Sequence, residues 1–196
     1  MANTLPRSAR KPQSTRERFV DMTARLMSRR GYAAVGLNEI VAKSGAPKGS
    51  LYHHFPGGKE QLAAEAVAWS AGLFTATLEQ EIGRARSMAE AIGNVAGIIA
   101  GWMERSGFRD GSPITIVAVE TGAFVEKLRL ACSAGYEAWT DLIVRELQKE
   151  GRKPQEAADL ALWAVASLEG AIILSRTSKS AEPLRRIGRL LQRSLQ

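Results

Sequence analysis

Several residues whose types could bind another molecule lie together in one short segment of this sequence. They are Lys48, Gly49, Ser50, Tyr52, His53, His54 and Lys59. The two histidines are adjacent, so they lack the i, i+4 spacing of a helical metal pair, and no cluster of Cys or carboxylate residues accompanies them. This argues against a metal site. Small residues that allow close approach, together with Lys, Tyr and His, instead suit contact with DNA bases and phosphates.

Two short helices joined by a tight turn would position this segment. The first is marked by Leu37, Ile40 and Val41. It stops at Gly45, which supplies the left-handed backbone geometry that such a turn requires. The second opens at Pro47, and its Leu51 and Phe55 are predicted to face inward because they lie four residues apart. The small and polar side chains then face outward, as they do in the recognition helix of a helix-turn-helix.

A longer amphipathic helix is predicted before these two. Ser14 or Thr15 can cap its start, and Gly31 ends it. Its buried stripe has the i, i+3, i+4, i+7 spacing and consists of Phe19, Met22, Thr23, Leu26 and Met27. Residues 1–13 are polar and basic, and we expect them to form a disordered leader.

The distribution of charge points to a polyanionic partner. Residues 1–60 contain eleven Lys and Arg against four Asp and Glu, which accounts for the whole formal net charge of +7. The rest of the chain is neutral overall. A neutral body with a basic N-terminal module is typical of a protein that binds nucleic acid at one end. Charge alone is equally compatible with a basic tail that only aids solubility, so the motif must decide between the two.

The composition excludes several classes of protein. With 45% hydrophobic and 24% charged residues, the chain is globular rather than disordered. Its single cysteine, Cys132, cannot form an internal disulfide, favours a reducing compartment and is expected to be a core thiol. The N-terminus has no apolar signal region, and the thirteen uncharged residues of 91–103 are too few to span a bilayer. We therefore expect a cytoplasmic protein without a membrane segment.

The body of the chain also predicts helices, so the fold class is all-α. Residues 114–124 could be strand or helix on propensity, and we assign helix because the neighbouring segments are helical. Residues 157–174 are apolar nearly all round, so this helix must be covered on several sides. We therefore predict a homodimer through residues 155–176 and 183–195, which Asp at Val165 or Leu168 should disrupt.

The segment from about residue 14 to residue 65 resembles the TetR family of bacterial transcriptional repressors. The resemblance is carried by Gly31-Tyr32, Ile40, Gly45, the run from Lys48 to Phe55, and Lys59 to Leu62. It implies a three-helix helix-turn-helix DNA-binding domain at 14–60 and a helical effector-binding and dimerisation domain at 61–196. Residues 111–120 resemble the LmrA/YxaF-like subgroup. The chain departs from the family pattern at Val35, where Thr is usual, at Ala46-Pro47, where Val-Ser is commoner, and in the turn before Lys59, which is one residue longer.

The expected partner is double-stranded DNA carrying a palindromic operator. We assign DNA contacts to Thr15, Arg16, Asn38, Lys48, Gly49, Ser50, Tyr52, His53, His54 and Lys59. Ser50 is expected to read base edges, whereas Lys48 and Tyr52 are expected to bind phosphates. No cofactor is expected.

The placement of aromatic residues suggests a receptor site in the body. Eight of the twelve, including all four Trp, lie beyond residue 60. The predicted pocket is lined by Trp102, Met103, Phe108, Phe124, Trp139 and Trp163 and takes a small, largely apolar ligand.

Together with the resemblance, the sequence predicts a TetR-type repressor that this ligand releases from its operator. A constitutive DNA binder without a ligand is the alternative. An enzyme is not indicated, because the sequence has no nucleophile elbow, metal box, phosphate loop or dinucleotide fingerprint.

Overall fold

The structure, a computed structural model, describes residues 14–196, except for the side chain of Lys48. The predicted leader, residues 1–13, lies outside this part. The described chain is all-α, as the sequence predicts. Its helices are α1 (Thr15–Arg30), α2 (Leu37–Ser44), α3 (Leu51–His54), α4 (Gly58–Ile82), α5 (Met88–Arg105), α6 (Pro113–Thr121), α7 (Glu126–Lys149), α8 (Pro154–Ser178) and α9 (Glu182–Ser194), and a 3-10 turn at Lys48–Ser50 leads into α3.

The start of α1 has the predicted cap. The Ser14 hydroxyl accepts a hydrogen bond from the Glu17 N–H, and the Glu17 carboxylate accepts one from the Ser14 N–H. This reciprocal capping box satisfies two backbone donors that a helix start otherwise leaves without partners. The start of α6 is similar, because the Ser112 side chain accepts from the Thr115 N–H and Pro113 follows at the first helical position. The assignment of helix to this segment is therefore confirmed.

The described chain divides into two compact units. The N-terminal unit contains the residues up to 72 together with 112–135, and the C-terminal unit contains 73–111 and 136–196. The N-terminal unit thus comprises α1 to α3, the first part of α4, α6 and the first part of α7. It is larger than the predicted DNA-binding domain at 14–60, because α6 packs against α1.

The core of the N-terminal unit fixes the short helices. Phe19 of α1 and Phe55 after α3 are fully buried, and their rings meet edge to face with centroids 6.1 Å apart. Leu51 and Ile40 are also buried, so both short helices present their predicted apolar sides to α1. Gly45 ends α2 with φ at +64°, the left-handed conformation that the turn needs.

The single cysteine belongs to the N-terminal unit and is a core thiol. Cys132 is 3% exposed, and its S–H points to the Ile114 carbonyl oxygen at 3.7 Å. Burial raises the pKa of the Cys132 thiol to about 11, because the thiolate would lose its hydration. At neutral pH this cysteine is therefore a poor nucleophile.

The core of the C-terminal unit is formed by α5, α8 and α9 with parts of α4 and α7. The amphipathic α9 buries Leu184 and Leu191 against it. Although Leu168 and Ile172 of α8 are buried, several large apolar residues of α8 are not. By length and composition α8 is apolar enough to cross a membrane, a test that the core helix of a soluble protein also passes.

Candidate nucleic-acid interface

The recognition segment, defined here as residues 47–54, is shaped by its local sequence. Pro47 caps a 3-10 turn over Lys48–Ser50, and α3 follows for a single turn to His54. Because Leu51 and Phe55 are buried four residues apart, this short segment has one fixed inward side. The opposite side is available for a partner.

The outward side of the recognition segment is open. Gly49 is exposed, and a Cβ built on it would meet nothing within 4 Å. Tyr52 has 65% of its surface exposed, and His53 is also exposed. A small residue beside two exposed donor side chains lets another surface approach the backbone closely, which is what contact with a DNA groove requires.

Two other residues of the segment are less free. The Ser50 hydroxyl donates to the Pro47 carbonyl oxygen at 2.7 Å, so in this state its proton is used inside the turn. His54 is partly buried, with its ring 5.2 Å from the ring of His53 and 6.4 Å from that of Phe55. The structure thus places one histidine outward and the other partly in the packing.

Lys59 lies in the first turn of α4, but its ammonium group has partners inside the unit. The Nζ atom is 4.3 Å from the centroid of the Tyr32 ring and 3.4 Å from the Ala33 carbonyl oxygen. Burial lowers the pKa of Lys59, and the nearby Glu120 carboxylate opposes that shift. In this state Lys59 ties the start of α4 to the turn after α1.

Residues of α1 and α2 complete the predicted DNA-binding set. Arg16 is exposed and forms an ion pair with Glu65, with 2.5 Å between Nη2 and Oε2. Its Cζ atom lies 5.3 Å from the centroid of the Phe55 ring. The Thr15 hydroxyl accepts from Arg18 at 3.2 Å, and Asn38 is exposed on α2.

The predicted DNA-binding residues thus fall into two groups. Thr15, Arg16 and Lys59 have partners within the protein. The residues that are exposed are Asn38, Gly49, Tyr52 and His53.

A cavity lies within the C-terminal unit. The cavity is small, with a volume of about 10 Å³. Its lining residues are Phe74, Leu78, Ile92, Trp139, Ile143, Val165, Leu168 and Glu169. The Trp139 and Phe74 rings lie 4.5 Å apart at their centroids. In this state the cavity is nearly filled by its own lining, so a ligand of ordinary size would need it to expand.

The predicted ligand-binding residues are not brought together. Trp139 lines the cavity, but the other five do not. Met103 is buried in the core of the C-terminal unit, with Trp102 and Phe108 packed against that core. Trp163 is 41% exposed, and Phe124 is 87% exposed and belongs to the N-terminal unit. Helical periodicity indicates which aromatic residues lie on an apolar stripe, but it does not specify which of them meet.

Two family models match the chain. One, "Bacterial regulatory proteins, tetR family", matches residues 19–66. The other, "Transcriptional regulator LmrA/YxaF-like, C-terminal domain", matches residues 88–190, which is more than half of the chain. The chain belongs to the TetR family of transcriptional regulators. The first match contains the whole recognition segment, and the second contains α5 to α8 and most of α9.

Similar proteins extend this assignment along most of the chain. The "Uncharacterized HTH-type transcriptional regulator YxaF" of Bacillus subtilis (strain 168) is 36% identical over 170 residues, with 87% of this chain and 89% of that protein covered. The "HTH-type transcriptional regulator LmrA" of the same strain is 35% identical, with 87% and 90% covered. These relatives of the TetR-family chain are transcriptional regulators, not enzymes.

Solved structures share the fold. A TetR transcriptional regulator from Chloroflexus aurantiacus J-10-FL has a TM-score of 0.78 and 30% identity, with 91% of this chain and 92% of that chain covered. One from Legionella pneumophila has a TM-score of 0.84 at 18% identity, with 95% and 100% covered. The second likeness shows the fold alone.

Two residues that sequence analysis missed hold this TetR-family helix-turn-helix in place. Arg18 of α1 donates from Nη1 to the Gly45 carbonyl oxygen at 2.8 Å, across 27 residues. Glu120 of α6 accepts from the Tyr32 and Ala33 N–H groups, 88 and 87 residues away. Periodicity and local motifs carry no signal for partners this distant, so only the fold reveals them.

Proposed function

We propose that this chain is a transcriptional repressor in the cytoplasm that binds a palindromic operator as a homodimer and is released by a small, largely apolar ligand. The observation that carries the DNA-binding part is the open outward side of the recognition segment. Its buried anchors, Leu51 and Phe55, fix that side, while Gly49 and Tyr52 leave it accessible. The segment also lies within the sixty residues that hold the whole net positive charge.

The chemistry of each residue on the outward side suggests what it would bind in the DNA complex. Tyr52, His53 and the amine of Lys48 would bind phosphates, and Gly49 would let the backbone approach the DNA. Ser50 would read a base edge through its free lone pairs, because its proton is used within the turn. His54 would assist from its partly packed position, and Asn38 from the neighbouring helix.

Three further residues would act less directly. Arg16 and Lys59 would have to exchange Glu65 and the Tyr32 ring for a phosphate, and the Thr15 hydroxyl now accepts from Arg18. In the DNA-free state they position α1 and α4. We therefore expect their substitution to cost less DNA affinity than substitution of Tyr52.

The proposed dimer forms through α8 and α9. Large apolar side chains of these helices remain exposed in the single chain, namely Leu162, Trp163, Ile173, Leu174 and Leu190. On α8 they recur at helical spacing around the small residues Ala166 and Gly170, which allow a partner helix to approach closely. Burying this surface in a four-helix interface with a second copy removes it from water.

Replacing Leu174 by Asp should abolish the dimer and, with it, tight operator binding. An isolated charge in an interface of upwards of about 2,000 Å² cannot be hydrated, so association should weaken by at least about 100-fold. The test is sedimentation at micromolar concentration, together with binding to a duplex selected by the wild-type protein from a random library. That duplex should contain an inverted repeat whose half-sites lie about 34–36 Å apart.

Leu130→Asp is the matched control. Leu130 is an exposed leucine of comparable accessibility on α7, outside the proposed interface. This variant should remain dimeric. A wild-type chain that sediments as a folded monomer while binding the selected duplex tightly would refute the dimer proposal.

The effector part of the proposal rests on the apolar cavity around Trp139. The cavity sits between helices of the C-terminal unit and is lined almost wholly by apolar side chains. A ligand there would select a conformation in which the cavity is wider, and that conformation would have to bind the operator poorly. The nearly closed state favours a second candidate function, a constitutive DNA binder whose aromatic residues serve only the core.

Replacing Trp139 by Phe should weaken effector binding by up to about 10-fold, because Phe offers a smaller ring and a whole aromatic contact contributes about 0.5–1.5 kcal/mol beyond burial. Operator affinity without effector should stay near wild type. Small uncharged aromatic compounds are screened for release of the selected duplex, and tryptophan fluorescence reports binding to the cavity. Trp102→Phe is the control, since Trp102 packs on the same core but does not line the cavity. If no compound releases DNA or changes the tryptophan emission of the wild-type protein, the constitutive function is favoured.

A further inference from the structure

The turn between α1 and α2 is held by a carboxylate from α6. Glu120 Oε2 accepts from the Tyr32 N–H at 2.5 Å, and Oε1 accepts from the Ala33 N–H at 2.7 Å. Both N–H groups belong to the turn that follows α1, where no helical partner is available for them. One ionised side chain therefore satisfies two backbone donors, and bonds of this kind to a charged acceptor are among the stronger hydrogen bonds in proteins.

The residue before this turn makes room for the carboxylate. Gly31 ends α1 with φ at +78°, a conformation that favours glycine. A Cβ built at Gly31 would overlap Glu120 Oε2. The approach of Glu120 thus depends on a glycine, in addition to the two N–H groups.

The turn connects α1 to α2, and α2 leads on to the recognition segment. α2 ends at Ser44, and the recognition segment begins three residues later, at Pro47. Arg30 at the end of α1 also forms an ion pair with Glu39 of α2. Lys59 lies over the Tyr32 ring and donates to the Ala33 carbonyl oxygen of the same turn. Whereas Arg30, Glu39 and Lys59 lie within the predicted DNA-binding domain at 14–60, Glu120 lies outside it.

Charge alone would disfavour an acidic residue here. A carboxylate in the unit that binds a polyanion repels phosphates, so its removal should strengthen DNA binding if electrostatics were its only effect. A positioning role predicts the opposite sign for the specific complex, because two recognition segments must fit two half-sites at once.

We propose that Glu120 is a positioning residue for operator binding, which sets the α1–α2 turn and thereby the placement of the recognition segment. It links the stretch matched by the LmrA/YxaF-like C-terminal model to the stretch matched by the tetR-family N-terminal model. It acts on DNA binding through the backbone of Tyr32 and Ala33 and does not touch DNA itself.

The test compares specific with non-specific binding in the full-length protein. Glu120→Gln keeps the size of the side chain but leaves one acceptor oxygen for two N–H groups, and Glu120→Ala leaves none. Affinities are measured for the selected duplex and for an unrelated duplex of the same length. Glu120→Gln should bind the selected duplex about tenfold more weakly, and Glu120→Ala more weakly still. Binding to the unrelated duplex should be unchanged or slightly tighter because a negative charge is lost.

Glu126→Gln supplies the matched control. Glu126 is an exposed carboxylate of the same unit that pairs with Arg129 and holds no backbone turn. It should leave the ratio of the two affinities unchanged. Circular dichroism and the thermal midpoint give the folded fraction of each variant. If Glu120→Ala does not fold, Glu120→Gln decides.

The outcomes that overturn the role of Glu120 differ from the outcome that overturns the proposed DNA-binding function. A Glu120→Gln protein that binds the selected duplex as tightly as wild type, or more tightly, overturns the proposal. A parallel loss for both duplexes that follows the folded fraction shows a merely structural role and also overturns it. Failure of the wild-type protein to select any duplex would instead count against the proposed DNA-binding function.

Discussion

Raising the salt concentration from about 50 to about 200 mM should weaken operator binding by about three to five orders of magnitude. The reason is the placement of charge, since residues 1–60 hold the entire net charge of +7. A dimer that makes about six to ten phosphate contacts releases a comparable number of counterions on binding, and this release is lost as salt rises. The neutral C-terminal part of the chain contributes little to this dependence.

Fluorescence anisotropy with the selected duplex over this salt range gives the slope of affinity against salt on logarithmic axes. Sedimentation at the same salt concentrations is the control, because dissociation of the dimer would also weaken binding. A nearly flat profile with an intact dimer would mean that the basic module does not bind phosphates. In that case the charge at the N-terminus would only aid solubility.

The helix-turn-helix could be predicted from sequence because its determinants are local. The capping box at Ser14, the left-handed Gly45, and the inward pair Leu51 and Phe55 all act within a few residues of themselves. The sequence predicts that Pro47 opens a helix directly, whereas in the structure Pro47 caps a 3-10 turn that leads into α3. Short-range chemistry thus determined both the elements and the outward side of the recognition segment.

The partners of individual side chains could not be predicted in the same way. The sequence gives Lys59 a phosphate role, whereas the structure places its ammonium group over Tyr32. The two hydrogen bonds of Glu120 join residues almost ninety positions apart. Such contacts depend on how whole helices pack, which periodicity does not encode.

The orientation of an almost wholly apolar helix is a second limit. In α8 the sequence could not distinguish the core side from the side left for a partner, because both are apolar. The structure buries Leu168 and places Val165 at the cavity, so Asp at either position would disturb the unit's own core. Ile173 and Leu174 are exposed, and they are the better positions for testing the interface.

If the recognition segment contacts DNA, position 49 must have no large side chain. Apart from residues 48–50 themselves, a Cβ at this position meets nothing within 4 Å, and the φ of Gly49 is not in the left-handed region. A larger side chain should therefore leave folding intact, and its helix propensity should be better than that of glycine. On bound DNA the same side chain would have to push against the groove, at about 1–3 kcal/mol per half-site. For a dimer on two half-sites this is about 2–6 kcal/mol, or a loss of roughly 30-fold to more than 10,000-fold in affinity.

The affinity of Gly49→Leu for the selected duplex, measured beside Gly97→Leu, tests the central claim most directly. Gly97 is an exposed glycine of α5 with equally open space around a Cβ, so the same substitution is matched in size and in exposure, although Gly97 lies in an α-helix and Gly49 in a 3-10 turn. We expect both variants to melt at or above the wild-type temperature, with Gly97→Leu binding DNA normally and Gly49→Leu losing at least about 30-fold. If Gly49→Leu folds and binds the selected duplex as tightly as the wild-type protein, the recognition segment is not the surface that contacts DNA.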